Sequence, residues 1–108
     1  MAQNFRRYVF NNVGTAAETL FTANSYDTIV GISVANVAAT SVIASVYIND
    51  GTDDIYLIKD APIPVGSALQ VLDGGAKFVV QNGDILKVIS DTASSLDVWV
   101  SAVDAIST

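Results

Sequence analysis

The stretch that decides the fold is Lys59-Asp60-Ala61-Pro62-Ile63-Pro64-Val65-Gly66-Ser67-Ala68-Leu69-Gln70-Val71-Leu72-Asp73-Gly74-Gly75-Ala76-Lys77-Phe78-Val79-Val80-Gln81-Asn82-Gly83-Asp84-Ile85-Leu86-Lys87-Val88-Ile89-Ser90. Three short apolar runs are set apart by three turn signals. Gly66 follows Pro64 by two residues, as in a type I turn with Pro second and Gly fourth. Asn82-Gly83 suits a two-residue hairpin that needs positive φ. The spacing predicts strands near Ala68 to Leu72, Lys77 to Gln81 and Ile85 to Ser90, with Gly74-Gly75 turning between the first two.

The same grain runs outward in both directions. Ser95 to Val103 alternates, with Leu96, Val98, Val100 and Ala102 pointing one way and Asp97, Trp99, Ser101 and Val103 the other. Upstream, Asp54 to Lys59 reads as a strand after the turn Asn49-Asp50-Gly51-Thr52-Asp53. Ser41 to Asn49 places Val42, Ala44, Val46 and Ile48 inward and Ile43, Ser45 and Tyr47 outward. Asp27 to Asn36 puts Thr28, Val30, Ile32 and Val34 on a core face and Ile29, Gly31, Ser33 and Ala35 on a face of small residues that another surface can approach. Glu18 to Thr22 is a short strand, because β-branched Thr outweighs the Ala content. Asn4 to Phe10 is an edge strand or extended arm with Arg6, Tyr8 and Phe10 on one face and Phe5, Arg7 and Val9 on the other. The expected fold is all-β: a single antiparallel β-sandwich of about eight or nine short strands, with Greek-key or jelly-roll-like connections and no long helix. Residues 1–11 form the arm or edge strand and residues 12–108 the sandwich, which is expected to stay folded without the arm.

A chain of 108 residues makes one domain that buries about 65% of its unfolded surface. It has no cysteine, so neither a disulfide nor a thiolate metal site holds it. Hydrophobic residues make up 51% and charged residues only 15%, against about 25% in an ordinary domain. That surplus predicts apolar surface buried against copies of the chain or a larger assembly, with a homo-oligomer, most simply a trimer, as the expected state. Eleven acids against five bases leave a net charge of −6, which argues against nucleic acid as a partner. No run reaches the length of a membrane-spanning helix, so no membrane partner is expected.

With no histidine, the commonest general base and every His-built metal site are missing. Asp53 and Asp54 point to opposite faces of a strand and make no catalytic dyad. No catalytic residue, cofactor or enzymatic activity is expected. Asp50, Asp53 and Asp54 around Gly51 are a weak calcium candidate, since they lack the EF-hand spacing, and Asp-Gly is also how such turns are made. Tyr47 and Trp99, with Tyr56, lie on faces opposite the presumed core. There they serve either as a platform that stacks on sugar rings or as a surface covered by the other sandwich layer or another subunit. Arg6, Arg7, Tyr8 and Phe10 are the residue types that dominate interfaces and are the candidate partner-binding set.

The order Pro-x-Gly-Ser at 64–67, a short strand, Gly74-Gly75, a strand, Asn82-Gly83-Asp84 and a strand resembles small virion structural proteins of tailed bacteriophages. That pattern covers the second half of the chain. The resemblance implies a non-enzymatic subunit, made in the host cytoplasm and built into the virion, with the major capsid or a tail protein as partner. Capsid decoration or cement comes first, a tail, neck or baseplate subunit second. A carbohydrate-binding module of a host-recognition fibre is the reading from a different class.

Overall fold

The computed structural model describes residues 4–23, 27–72 and 78–104. The strands are β1 (Asn4–Val13), β2 (Glu18–Thr22), β3 (Asp27–Asn36), β4 (Val42–Asn49), β5 (Asp54–Ile63), β6 (Ala68–Leu72), β7 (Phe78–Val80), β8 (Ile85–Ser90) and β9 (Leu96–Asp104). They form two antiparallel sheets, and the described residues include no helix. Sheet A runs β1-β9-β3-β6, with β7 also paired to β3; sheet B runs β2-β8-β4-β5. The expected Gly74-Gly75 turn and Lys77 lie outside the described residues.

Among consecutive strands only β4 and β5 pair with each other. The other consecutive strands lie in different sheets, except β6 and β7, which both pair with β3. Asn82-Gly83 therefore joins no hairpin: β7 lies in sheet A and β8 in sheet B. Gly83 alone takes the positive angle, φ 96°, and the Asp84 amide donates to the Gln81 carbonyl at 2.9 Å, the pattern of a type II turn. The Pro64 turn is corrected in the same way. The Ser67 amide donates to the Pro64 carbonyl at 3.1 Å and Gly66 has φ 75°, so Pro64 is the first residue and Gly66 the third.

The core lies between the sheets, with Leu20, Ile29, Ile32, Val34, Val46, Val88, Leu96 and Val100 all but inaccessible. The expected inward set of β9 is buried as read: Leu96, Val98, Val100 and Ala102. The core face of β3 differs. Ile29 is buried with Ile32 and Val34, whereas Thr28 and Val30 are only half-buried. The pairing of β3 with β9 slips between Ile29 and Gly31, and one extra residue there exchanges the faces of everything before it. In β4, Ser45 and Tyr47 are also covered, although they point away from the core. A bulge at Asp60, φ 54°, bends β5 so that its amide donates to Ser45 Oγ at 2.9 Å. Strand β5 thus continues past Lys59 to Ile63, with Pro62 accommodated because β5 is an edge.

Two buried polar knots tie the ends together. The Asn36 amide nitrogen donates to the carbonyls of Thr40 and Ile63, both at 2.9 Å, and its oxygen accepts from the Ala38 amide. At the β8–β9 turn, Ser90 and Ser95 share a 2.6 Å hydroxyl bond, and the Ser90 and Ser95 amides reach the carbonyls of Gly14 and Val13. Gly14 lets the two turns approach closely, since a Cβ there would lie 3.1 Å from the Ser94 nitrogen and the backbone would have to give by a few tenths of an ångström.

Candidate interaction site

Strand β1 is held along its length by β9, with Tyr8 opposite Val100 and Phe10 opposite Val98. The alternation of β1 divides the four candidate partner-binding residues. Tyr8 and Phe10 face inward and pack on the core, Tyr8 stacking on Phe21 at 4.8 Å with the rings 12° from parallel. Strand β1 is thus an edge strand of sheet A, with Tyr8 lying over Phe21 of sheet B. Arg6 and Arg7 are both exposed, and Arg7 points outward, its guanidinium carbon 5.5 Å from the centre of the Trp99 ring. Such a contact at an exposed position contributes about 0.5–1 kcal/mol.

Trp99 is 52% exposed and stands between Val9 of β1 and Ser33 of β3. The outer face of sheet A is high along β1, with Phe5 and Val9 exposed, and low along β3, where Gly31, Ser33 and Ala35 carry little or no side chain. The step between them is an open groove of about 460 Å³ lined by Val9, Asn11, Ser33, Ala35, Asp97 and Trp99, among others. At its end β1 bulges, with Asn12 at φ 56° and its amide on Asp97 Oδ1 at 3.2 Å. This surface offers ring stacking, apolar burial and one fixed cation. The alternation of β1 already placed Phe5 and Val9 beside Arg7, but their meeting with Trp99 depends on β1 pairing with β9, which no local pattern announces.

The outer face of sheet B is less open. Tyr47 is nearly covered, its ring 5.0 Å from that of Tyr56 across the β4–β5 pair, and Lys59 lies over Tyr56 at 5.1 Å. Burial pushes the Tyr47 phenol above its ordinary pKa, and Asp54 and Tyr56 add to the effect. Tyr47 and Trp99 sit on different sheets and make no common platform.

The Asn49–Asp54 turn spends its oxygens on itself. Asp50 Oδ1 accepts from the amides of Asp53 at 2.8 Å and Thr52 at 3.0 Å, which holds its carboxyl below the ordinary range. Asn49 Nδ2 donates to Asp54 Oδ1 at 2.7 Å. Asp50, Asp53 and Asp54 are not gathered around a common point, and among the described residues no three His, Cys, Asp or Glu side chains are grouped to hold a metal ion. No helix among the described residues is long and apolar enough to cross a membrane.

No family model matches the chain, and no curated protein matches it. Among solved structures, a chain of the acidic stable capsid structure of Helicobacter pylori bacteriophage KHP30 superposes with a TM-score of 0.64 over 99% of this chain and 90% of that one, at 12% identity. A pentameric capsid protein isolated from metagenomic phage sequences superposes with a TM-score of 0.48 over 92% of this chain and 59% of that one, at 19% identity. The fold is thus an antiparallel β-sandwich shared with a chain of a phage capsid, in keeping with the resemblance to small virion structural proteins read from the turns.

Proposed function

We propose that this chain is a non-enzymatic structural subunit of a bacteriophage virion, and within that class a decoration or cement subunit that docks on a preformed capsid. The observation that carries this reading is the end-to-end likeness of fold to a chain from a phage capsid structure. The strand order, β1-β9-β3-β6 facing β2-β8-β4-β5, supports a jelly-roll reading of the sandwich, an architecture used in viral shells. Support also comes from the surface. Phe5, Val9, Trp99 and Val79 leave apolar area on one outer face of a chain with few charges, and such area is ordinarily covered by a partner. On this reading the protein assembles in the host cytoplasm, associates with itself, most simply as a trimer, and binds the major capsid protein. Of the β1 residues, this reading assigns contact to the exposed Arg6 and Arg7, with Tyr8 and Phe10 holding the strand against the core. A tail, neck or baseplate subunit is the second choice.

The half-exposed Trp99 beside an open groove favours one reading of another class, a surface that stacks on a sugar ring. Quantitative mass spectrometry of purified particles separates these. A decoration subunit is expected at a copy number comparable to that of the major capsid protein, and a tail subunit at a small fraction of it. Absence from particles, together with saturable retention on a polysaccharide matrix, would overturn the structural role.

A further inference from the structure

We propose that the outer face of sheet A packs on the same face of a second copy about a two-fold axis, with Arg7 of each copy seated beside Asp97 of the other. This deepens the self-association in the reading above and rests on it, with a pair rather than a trimer as the species of the free chain.

The strand register places the two charges symmetrically about Trp99. Trp99 lies opposite Val9 on one side and Ser33 on the other, so the three form a row across β1, β9 and β3. Two residues from that row in one direction, Arg7 pairs with Ser101; two residues the other way, Asp97 pairs with Ala35. At about 3.4 Å per residue, each charge stands about 7 Å from the row. Asp97, Trp99 and Ser101 alternate with the buried Leu96, Val98 and Val100, so they face outward. Arg6 alternates with Arg7 and falls on the other face of β1, with Tyr8 and Phe10. Between the Phe5–Val103 and Ala35–Asp97 pairs, Arg7 and Asp97 are thus the charged residues at outward positions of β1, β9 and β3.

Both charges are open to a partner. Arg7 lies against the Trp99 ring and has no carboxylate partner among the described residues. Asp97 Oδ1 accepts the Asn12 amide at 3.2 Å, which fixes the carboxylate at the groove without neutralising it. The groove opens on the Asp97 side of Trp99, and its lining takes in Asp97, Ala35 and Trp99 but not Arg7. An aromatic ring and a carboxylate around one apolar hollow suit a guanidinium, which stacks on the first and forms charge-assisted hydrogen bonds to the second.

A two-fold axis lying in the contact plane along the Val9–Trp99–Ser33 row exchanges the two ends of the sheet. It carries Arg7 of the second copy to the level of Asp97, one strand to the side, an offset of about 4.8 Å that an arginine side chain spans. Trp99 meets its counterpart at the centre, and Trp and Arg are the residues that most often carry interface energy. An axis along the strands would instead set Arg7 on Arg7 and Asp97 on Asp97, so charge selects the first arrangement. The strands of the two copies then stay nearly aligned, as in the packing of two sandwich layers. One base and one acid leave the patch locally neutral, so copies with a net charge of −6 repel less here than in other approaches.

The test combines two charge reversals made separately in the full chain, Arg7→Glu and Asp97→Lys. Each alone sets like charges together at both ends of the contact and should raise the dissociation constant of the pair at least about tenfold. In an equal mixture the two reversals face each other at one end and the native residues at the other, so a heterodimer should form with close to the native constant. Asp97→Asn keeps an acceptor for the Asn12 amide, removes only the charge, and should weaken the pair by a smaller factor. Mass is read by light scattering coupled to size exclusion at about 100 µM protein, and urea melts confirm that each variant is folded. Trp99 is the chain's one tryptophan, so its emission should move to shorter wavelength as the pair forms. A native chain that is monomeric at this concentration, or that forms an oligomer other than a dimer, overturns the contact. A dimer indifferent to the reversals and to Asp97→Asn, or a mixture that stays monomeric, overturns it as well. Emission that responds to a maltooligosaccharide and not to protein concentration assigns the groove to a sugar and has the same consequence. If a monomer is nevertheless found at high copy number in particles, the virion role stands and only the self-contact fails.

Discussion

Truncating Trp99 to alanine separates its contribution to the fold from its contribution to contact. A tryptophan presents at most about 250 Å². With 52% of it exposed, the isolated chain covers roughly half, about 120 Å², which corresponds to about 3 kcal/mol at ~25 cal/mol per Å². The groove beside it opens to water, so truncation leaves no closed cavity to add a second penalty, and the alanine Cβ retains part of the covered area. The net cost to the fold is then about 2 kcal/mol, with about 0.5–1 kcal/mol more from the lost contact with Arg7. A domain of this size has about 5–15 kcal/mol in hand, so the variant stays folded. The half that faces solvent in the single chain is what a partner would cover. Losing it costs about another 3 kcal/mol of association, or roughly a hundredfold in dissociation constant. Urea titration measures the first quantity, and incorporation into particles or oligomer dissociation measures the second. A variant unfolded at 25 °C would show that Trp99 anchors the core. A variant that assembles as well as the native chain would remove the outer face of sheet A from the interface.

Replacing Gly83 with valine should cost about 1–3 kcal/mol, seen as a lower melting temperature, because the residue sits at φ 96°. A Cβ there meets nothing within 4 Å, so the cost is backbone strain alone; an unchanged melting temperature would mean that the turn takes another conformation. The fold should also weaken in acid. Asp91 accepts from the Ile43 amide and from the Thr92 hydroxyl, both at 2.9 Å, and these bonds hold its carboxyl below the ordinary value of 3.8. A depressed folded-state pKa contributes stability that is present above the unfolded value and lost as pH falls through the folded one. Stability should therefore drop below about pH 4, less steeply in Asp91→Asn, and identical acid titrations of the two proteins would refute the role of Asp91.

The face divisions of β9 and β1, the positions of the turns at Pro64–Ser67 and Gln81–Asp84 and the all-β class were legible as local pattern, whereas the type of the first turn and the partners joined by the second were not. Alternation at period two is a property of a strand on its own, and turn chemistry involves only a few neighbouring residues. The exchange of faces in β3 was not legible. The bulge at Val30–Gly31 arises from pairing with β9, and Ile29 and Val30 are equally apolar, so nothing nearby says which of them turns inward. The covering of Tyr47 was hidden for a related reason, since it depends on Tyr56 being brought across the β4–β5 pair.

By itself, then, the sequence determined the strands, the lack of histidine and cysteine chemistry, and an excess of apolar residues over charge that calls for a partner. Only the tertiary structure decided which sheet each strand joins. That assignment sets Arg7 of the first strand beside Trp99 of the last and turns Tyr8 and Phe10 inward. The physical reason is that strand order rests on backbone pairing between segments far apart in the chain. Every peptide group offers the same donor and acceptor, so local residues do not encode which strand comes to lie beside which.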